Sequence, residues 1–318
     1  MKITVLDSKT LGKDLDLSVL NALGEVAIYD TCNEDNIKER IKDTDVIIDN
    51  KLKLPEKELS EAKNLKLICL AAAGYDPVDV KYCKKRNIGV CNVCGYSSNS
   101  VSQLTVTMAL ALISHLPEYI DYTKSGEYTR SKTANHVSPV FNEIDNLTWG
   151  IIGLGNIGKK VAKAAEGLGC NVIAYKRTKE EGYNLKDLDT LLKTSDIISV
   201  HLPLTDETRN LISREKIALM KEKAIFINVA RGAVSDEQAL AEAIKNNKIA
   251  GIGIDVYSEE PFSETHPFYE IKEYPNVIFT PHMSWGAYES RNRCINEIIL
   301  NINAFFKGEI RNRVDLYE

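Results

Sequence analysis

Nowhere in its 318 residues does the chain carry a long apolar run. No stretch approaches the ~20 consecutive apolar residues of a membrane-spanning helix. The apolar core of the opening segment, MKITVLDSKT, is too short for a secretory signal. A basic surplus is missing too. With a net charge of -5 the chain has no basic face for general nucleic-acid binding, so nucleic acid and membrane are not expected partners. No Cys and His cluster stands at metal-ligand spacing, so no metal is expected. Cys91 and Cys94 form a C-x-x-C, but with no second pair beside it the spacing reads as incidental. Seven cysteines, an odd number, fit reduced thiols in a cytoplasmic protein. Short-period repeats and low-complexity tracts are also lacking.

What is present is ordinary for a globular chain: 44% hydrophobic and 27% charged residues. The length is too great for one ordinary core and suggests two domains. Short apolar strands alternate with helical stretches. ITVLD, VAIYD, DVIID, LKLICLAA and IGVCNV form a first series, with helices expected around Leu15–Leu23, Asn36–Lys42 and Leu54–Leu59. WGIIGLG, NVIAY, DIISVHLP, AIFINVA, GIGIDV and VIFTPH form a second. This alternation predicts an α/β chain of two Rossmann-like, doubly wound parallel-sheet domains. Between the series, SVSQLTVTMALALISHLPEYIDYTKSG is apolar all round and predicts one long buried helix. Ser100 is its expected N-cap and Gln103 completes a capping box. ESRNRCINEIILNINAFFKG predicts an amphipathic final helix that stops at Gly308.

The segment GIIGLGNIGKKVAKAAEGLG holds Gly153, Gly155 and Gly158 in G-x-G-x-x-G, after an apolar strand and opening an alanine-rich helix. In that context Gly153 permits a tight turn, Gly155 admits a pyrophosphate and Gly158 lets helix and strand pack closely. The N–H groups near Asn156 and Ile157 then face the anion. A dinucleotide is therefore expected. The next strand ends at Tyr175, where an NAD site carries a carboxylate for the ribose hydroxyls. Here stand Lys176, Arg177 and Thr178, groups suited to a 2′-phosphate, so NADP(H) is favoured over NAD(H). Glu180 and Glu181 follow closely.

Three later strand ends carry chemistry: Arg231 in INVARGAV, Glu260 in GIDVYSEEPF and His282 in VIFTPHMSW. Ligands of open α/β sheets bind outside the carboxyl ends of the strands, so the three can converge. An Arg fork suits the carboxylate of a keto acid, a His passes a proton to a carbonyl oxygen, and a carboxylate beside it favours the charged imidazole. Taken singly, each is also compatible with a surface ion pair, a loop histidine and a solvated acid.

The ordered set G-L-G-N-I-G, V-H-L-P-L-T, N-V-A-R-G, D-V-Y-S-E-E-P and T-P-H-M-S-W closely resembles the D-isomer-specific 2-hydroxyacid dehydrogenases over nearly the whole chain. The resemblance implies that Arg231 binds and polarises a 2-keto acid, His282 is the acid in reduction and the base in oxidation, and Glu260 pairs with His282. It also implies that Asp255 touches the nicotinamide amide or orders its loop. In AAAGYD, the backbone at Ala73 and Gly74 would hold the substrate carboxylate, and Trp285 would wall the pocket. Residues 1–98 with 287–318 would form the substrate domain and 99–286 the dinucleotide domain, with the active site in the cleft between them. A homodimer is the family's usual state.

The stretches Asn50–Leu54, Asn92–Ser97 and His282–Trp285 look most like the hydroxypyruvate (glycerate) and glyoxylate reductase branch, so a small 2-keto acid is the expected substrate. D-lactate and branched-chain 2-hydroxyacid dehydrogenation are the alternatives within the fold, as is action on formate or phosphite. From another class, a corepressor-like dinucleotide sensor would keep the same turn, although such proteins often carry long disordered tails.

Overall fold

The computed structural model describes residues 1–316. The chain divides into two compact units, Met1–Ser97 with Gly286–Glu318, and Ser98–Trp285.

The first unit holds a five-stranded parallel sheet of β1 (Lys2–Val5), β2 (Glu25–Ile28), β3 (Val46–Asp49), β4 (Leu67–Leu70) and β5 (Gly89–Cys91), in the order β2-β1-β3-β4-β5. α1 (Ile37–Ile41), α2 (Glu56–Leu59) and α3 (Val80–Lys85) are short, and their apolar residues join Ile47, Ile68 and Val90 in one core. The C-terminal helix Tyr288–Phe306 packs against β4. It ends before Gly308, whose φ of 76° is the left-handed exit that glycine takes most readily. The stretch around Leu15–Leu23 forms a 3-10 turn over Ser18–Leu23 in place of the expected helix.

The second unit opens with α4 (Ser98–Ile113), α5 (Leu116–Lys124) and α6 (Glu127–Ser131). The single long connecting helix expected from the sequence is thus broken. Pro117 has no N–H to give the Ile113 carbonyl, and His115 turns left-handed at φ 49°. Ser100 does not cap α4, which begins two residues earlier; its hydroxyl instead donates to the Ser284 carbonyl at 2.5 Å. Then follow β6 (Thr148–Ile152), α7 (Asn156–Gly167), β7 (Asn171–Tyr175), α8 (Leu188–Thr194), β8 (Ile197–Val200), α9 (Arg214–Ala218), β9 (Ile225–Asn228), α10 (Glu237–Lys245), β10 (Gly251–Ile254) and β11 (Val277–Phe279). The six strands are parallel, in the order β11-β10-β9-β8-β6-β7.

β8, β9 and β10 are buried throughout, which explains their unbroken apolar runs. Their side chains alternate between two cores. Ile198, Phe226 and Ile252 pack with Leu191, Ile217 and Leu240 of α8, α9 and α10. Ile197, Ile225 and Ile227 pack on the other face with Met108 of α4 and Val161 of α7. At about 1.5–3 kcal/mol for each fully buried large aliphatic, the sheet is stabilised from both faces. Met108 lies close to β10: a Cβ on Gly253 would sit 3.1 Å from its sulfur, so a larger residue there would require the methionine side chain to shift by a few tenths of an ångström.

At the carboxyl edge of the first sheet, Asp7 just after β1 and Asp49 at the end of β3 are both buried. Asp7 is satisfied: its carboxylate accepts N–H bonds from Asn50 (3.1 Å) and Lys51 (2.8 Å). Among the described residues, neither oxygen of Asp49 has a partner at hydrogen-bonding geometry. Burial, and then the charge of Asp7, push its carboxyl well above the usual range, and the nearby backbone N–H groups of Leu52 and Asn50 offset only part of this. Asp7 is raised as well, by burial. A carboxyl with a raised folded pKa contributes most below its unfolded value near 3.8, and that contribution is lost as pH rises through the folded pKa. Asp49→Asn should therefore stabilise the protein by on the order of 1 kcal/mol at pH 8, with the gain fading toward pH 4. Urea unfolding at both pH values checks this. A variant that is destabilised at pH 8, or that gains equally at pH 4, contradicts it.

Candidate active site

The loop between β6 and α7 is built for close approach. Gly153 sits at φ 100°, and a Cβ there would lie 2.6 Å from the His201 carbonyl oxygen. A Cβ on Gly158 would run into the Gly153 carbonyl, so the helix start rests directly on the strand end. Gly155 is different. A Cβ added there meets nothing within 4 Å, so the space over its backbone is open. The first-turn N–H groups of α7, at Asn156 and Ile157, have no intrahelical acceptor, and the capping residue has no side chain to fill their place. The loop also stands between β6 and β8, where the strand order reverses. Open space, free donors and this position all fit a dinucleotide pyrophosphate.

The tip of β7 is more occupied than the sequence suggests. Lys176 pairs with Glu180, which also takes Lys159 of α7 at 2.5 Å. Lys159 first, then Lys176, holds the half-buried Glu180 carboxyl down at about 2. Arg177 pairs with Glu207 in solvent, and Thr178 is exposed between these groups.

β9, β10 and β11 are neighbours and parallel, so the residues following each emerge at one edge. Arg231 follows β9, and one of its guanidinium nitrogens donates to the Ala230 carbonyl at 2.8 Å. Glu260 follows β10 and His282 follows β11, and the two meet: His282 Nδ1 lies 2.7 Å from Glu260 Oε2. The other Glu260 oxygen accepts the Tyr257 N–H at 3.0 Å. Tyr257 stitches the two loops together, its hydroxyl donating to the Thr280 carbonyl at 2.9 Å. Its phenol is pushed above the usual range by burial, and then by the Asp255 and Glu260 charges.

His282 is held in an uncommon conformation, φ 51°, and the loop around it is tied at several points. Its N–H donates to the Thr280 carbonyl at 3.0 Å, and its carbonyl accepts the Trp285 indole N–H at 2.9 Å. Asp255 is fully buried beneath. It accepts the Thr280 hydroxyl (2.6 Å) and the Met283 and Ser284 N–H groups (2.8 and 3.0 Å). Asp255 thus orders the histidine loop, and Trp285 bonds its backbone.

Ala73 and Gly74 belong to the first unit, in the loop after β4. The Ala73 carbonyl accepts the Asn92 side-chain N–H at 2.7 Å and that of Ala72 accepts the Val93 N–H at 2.9 Å, so this loop is tied to the strand beside it. Cys91 is buried in β5 while Cys94 is exposed, and no metal-binding cluster occurs among the described residues.

Sequence reading misses three groups. His201, after β8, has Nε2 3.0 Å from the Ser199 hydroxyl and a buried Nδ1 with no partner among the described residues; burial pushes the ring down to about 3. His266, which is buried, and Glu237, which is half-buried, are partners behind the Glu260 loop. A lone His in VHLPL or ETHPF, or an acid opening a helix, carries no signal that separates these roles from those of a solvated side chain.

Residues 106–284 match the family described as D-isomer specific 2-hydroxyacid dehydrogenase, NAD binding domain. The chain is 35% identical over 324 residues to a hydroxypyruvate reductase of Blautia hydrogenotrophica, covering 99% of this chain and 100% of that protein. It is 35% identical over 315 residues to a glycerate dehydrogenase of Methylorubrum extorquens, covering 99% of each. Among solved structures, a D-lactate dehydrogenase from Aquifex aeolicus in complex with NAD and lactic acid superposes with a TM-score of 0.87 at 32% identity, covering 97% of this chain and 96% of that one.

Proposed function

The chain belongs to the D-isomer specific 2-hydroxyacid dehydrogenases, and from that membership we propose that it reduces hydroxypyruvate or glyoxylate with His282 and Glu260 as its proton-handling pair. That the protein is a nicotinamide-dinucleotide-dependent 2-hydroxyacid oxidoreductase follows from the family itself. The observation that carries the catalytic reading is the 2.7 Å contact between His282 and Glu260. When bound, the dinucleotide supplies the hydride in reduction and accepts it in oxidation. Glu260 accepts a hydrogen bond from Nδ1–H, which fixes the tautomer and the orientation of the ring. Nε2 then gives a proton to the keto oxygen in reduction and takes one from the hydroxyl in oxidation. The Arg231 fork suits the substrate carboxylate, as do the backbone N–H groups at Ala73 and Gly74. In this reading the first unit takes the substrate and the second the cofactor. Trp285 limits the size of the side chain the site admits. The relatives' names support a small polar keto acid.

Initial rates with hydroxypyruvate, glyoxylate and pyruvate test the substrate. The first two should exceed pyruvate by tenfold or more in kcat/KM, about 1.4 kcal/mol; pyruvate in the lead reassigns the substrate. His282→Gln should lower kcat by about 10²–10⁴ with the fold intact, and a variant within a factor of about 3 removes His282 from the proton step.

We read the cofactor preference as NADP(H). Lys176, Arg177 and Thr178 follow β7 directly, before the first carboxylate at Glu180, and these three groups suit a 2′-phosphate. Such a phosphate would take Lys176 from Glu180. NADPH should then be preferred by about tenfold, and Glu180→Gln should widen the preference; equal rates or an NADH preference make the turn a solvated one. Seven unpaired thiols support a cytoplasmic setting, and no helix among the described residues is long and apolar enough to cross a membrane. The exposed Leu116, Ile120, Val137, Val140 and Phe141 around α5 and α6 support a homodimer. Sedimentation at micromolar concentration should give twice the chain's mass, and a monomer there discards the dimer.

A further inference from the structure

We infer that Glu237 is a positioning residue for the His282–Glu260 pair, acting through the loop that carries Glu260; the inference rests on the reading of that pair given above. Glu237 is the first residue of α10, and its side chain is only 9% exposed. One oxygen accepts the Ser258 N–H at 2.8 Å. The other accepts the Ser258 hydroxyl and faces His266 Nε2 at 3.1 Å. The histidine's role is set by its second nitrogen. Nδ1 accepts the Phe268 N–H at 3.2 Å, so the ring proton sits on Nε2 and is donated to Glu237. Phe262 and Phe268 enclose the ring, each with its centroid 5.2 Å away. A carboxylate with so little of its side chain exposed and three donors on it is a local anchor, because displacing any one of them gives up a bond that water only partly replaces.

What the anchor holds is the loop of the proton-handling pair. Ser258 lies two residues before Glu260, and the neighbouring Tyr257 N–H fixes Glu260 Oε1. Oε2 is then left at a set height for His282 Nδ1. The same backbone lies against the turn after Arg231, since a Cβ on Gly232 would run into the Tyr257 carbonyl carbon and the Ser258 nitrogen. A displaced Ser258 therefore moves both the Glu260 carboxylate and the support of the Arg231 turn. An acid opening α10 also suits the helix dipole, but a dipole contribution is felt in stability alone. The position of Glu260 is felt in the chemistry.

The test compares the wild type with Glu237→Gln, Glu260→Gln and the double variant, using the fastest-reduced keto acid. A Gln at 237 offers one acceptor and one donor group to three donors. Glu237→Gln should lower kcat by about tenfold or more with KM changed by less than about threefold. Its pH–rate profile should shift in the same direction as that of Glu260→Gln. The double variant should be no slower than Glu260→Gln alone, because one effect passes through the other. Ser258→Ala removes a single donor and should give a smaller loss of the same kind; if Glu237→Gln does not fold, Ser258→Ala decides the matter in its place. Wild-type kcat and pH profile in both Glu237→Gln and Ser258→Ala beside an impaired Glu260→Gln, or losses that multiply in the double variant, overturn the inference. A Glu260→Gln enzyme with wild-type rate and profile overturns the pair itself, and the inference with it.

Discussion

Three neighbouring parallel strands ending at one edge are the constraint on which this protein's chemistry depends. β9, β10 and β11 run side by side, so Arg231, Glu260 and His282 leave the sheet in the same direction. In the sequence they are separated by 29 and 22 residues (231 to 260, and 260 to 282). Only pairing in parallel brings those ends together, and only crossovers of helix length make such pairing possible. α10, lying between β9 and β10, is one such crossover, and it also delivers Glu237 to the back of the Glu260 loop.

Buried and half-buried acids hold the loops at these strand ends. Asp255 takes two N–H groups and a hydroxyl of the histidine loop, Glu237 anchors Ser258, and in the other unit Asp7 takes the N–H groups of Asn50 and Lys51. Loop backbone cannot satisfy itself as helices and strands do, so a carboxylate with two accepting oxygens is an efficient local partner. Desolvation sets the limit of this device. Asp7 and Glu237 have donors for their oxygens, while Asp49 beside Asp7 has none among the described residues and is pushed toward its neutral form. His201 shows the same penalty with the opposite charge.

Much of this is legible in the sequence. The strand series are buried on both faces, which writes them as continuous apolar runs, and the glycine turn has backbone reasons at Gly153 and Gly158 that admit no other residue. The departures share a cause. The connector has the periodicity of one helix, but Pro117 removes a hydrogen bond that periodicity does not register. Ser100 has the type and spacing of a cap, while the helix starts where the preceding chain allows. Glu180 and Glu181 stand close behind Lys176 in the sequence and already weigh against a free lysine, but which of them it pairs with, and that Glu180 also takes Lys159, depends on how the turn folds.

By itself the sequence determined the two strand series, the position of the nucleotide turn and the three residue types at the later strand ends. Each of these is local: an apolar run, a glycine with no room for a Cβ, a motif of adjacent residues. The family resemblance implied that Glu260 pairs with His282 and that Asp255 could order its loop; the tertiary structure supplies the contacts themselves, and it alone decided that Glu237 and His266 stand behind the pair. Those are contacts between residues 21 to 29 positions apart, and their existence depends on strand order and on which groups lose their water together.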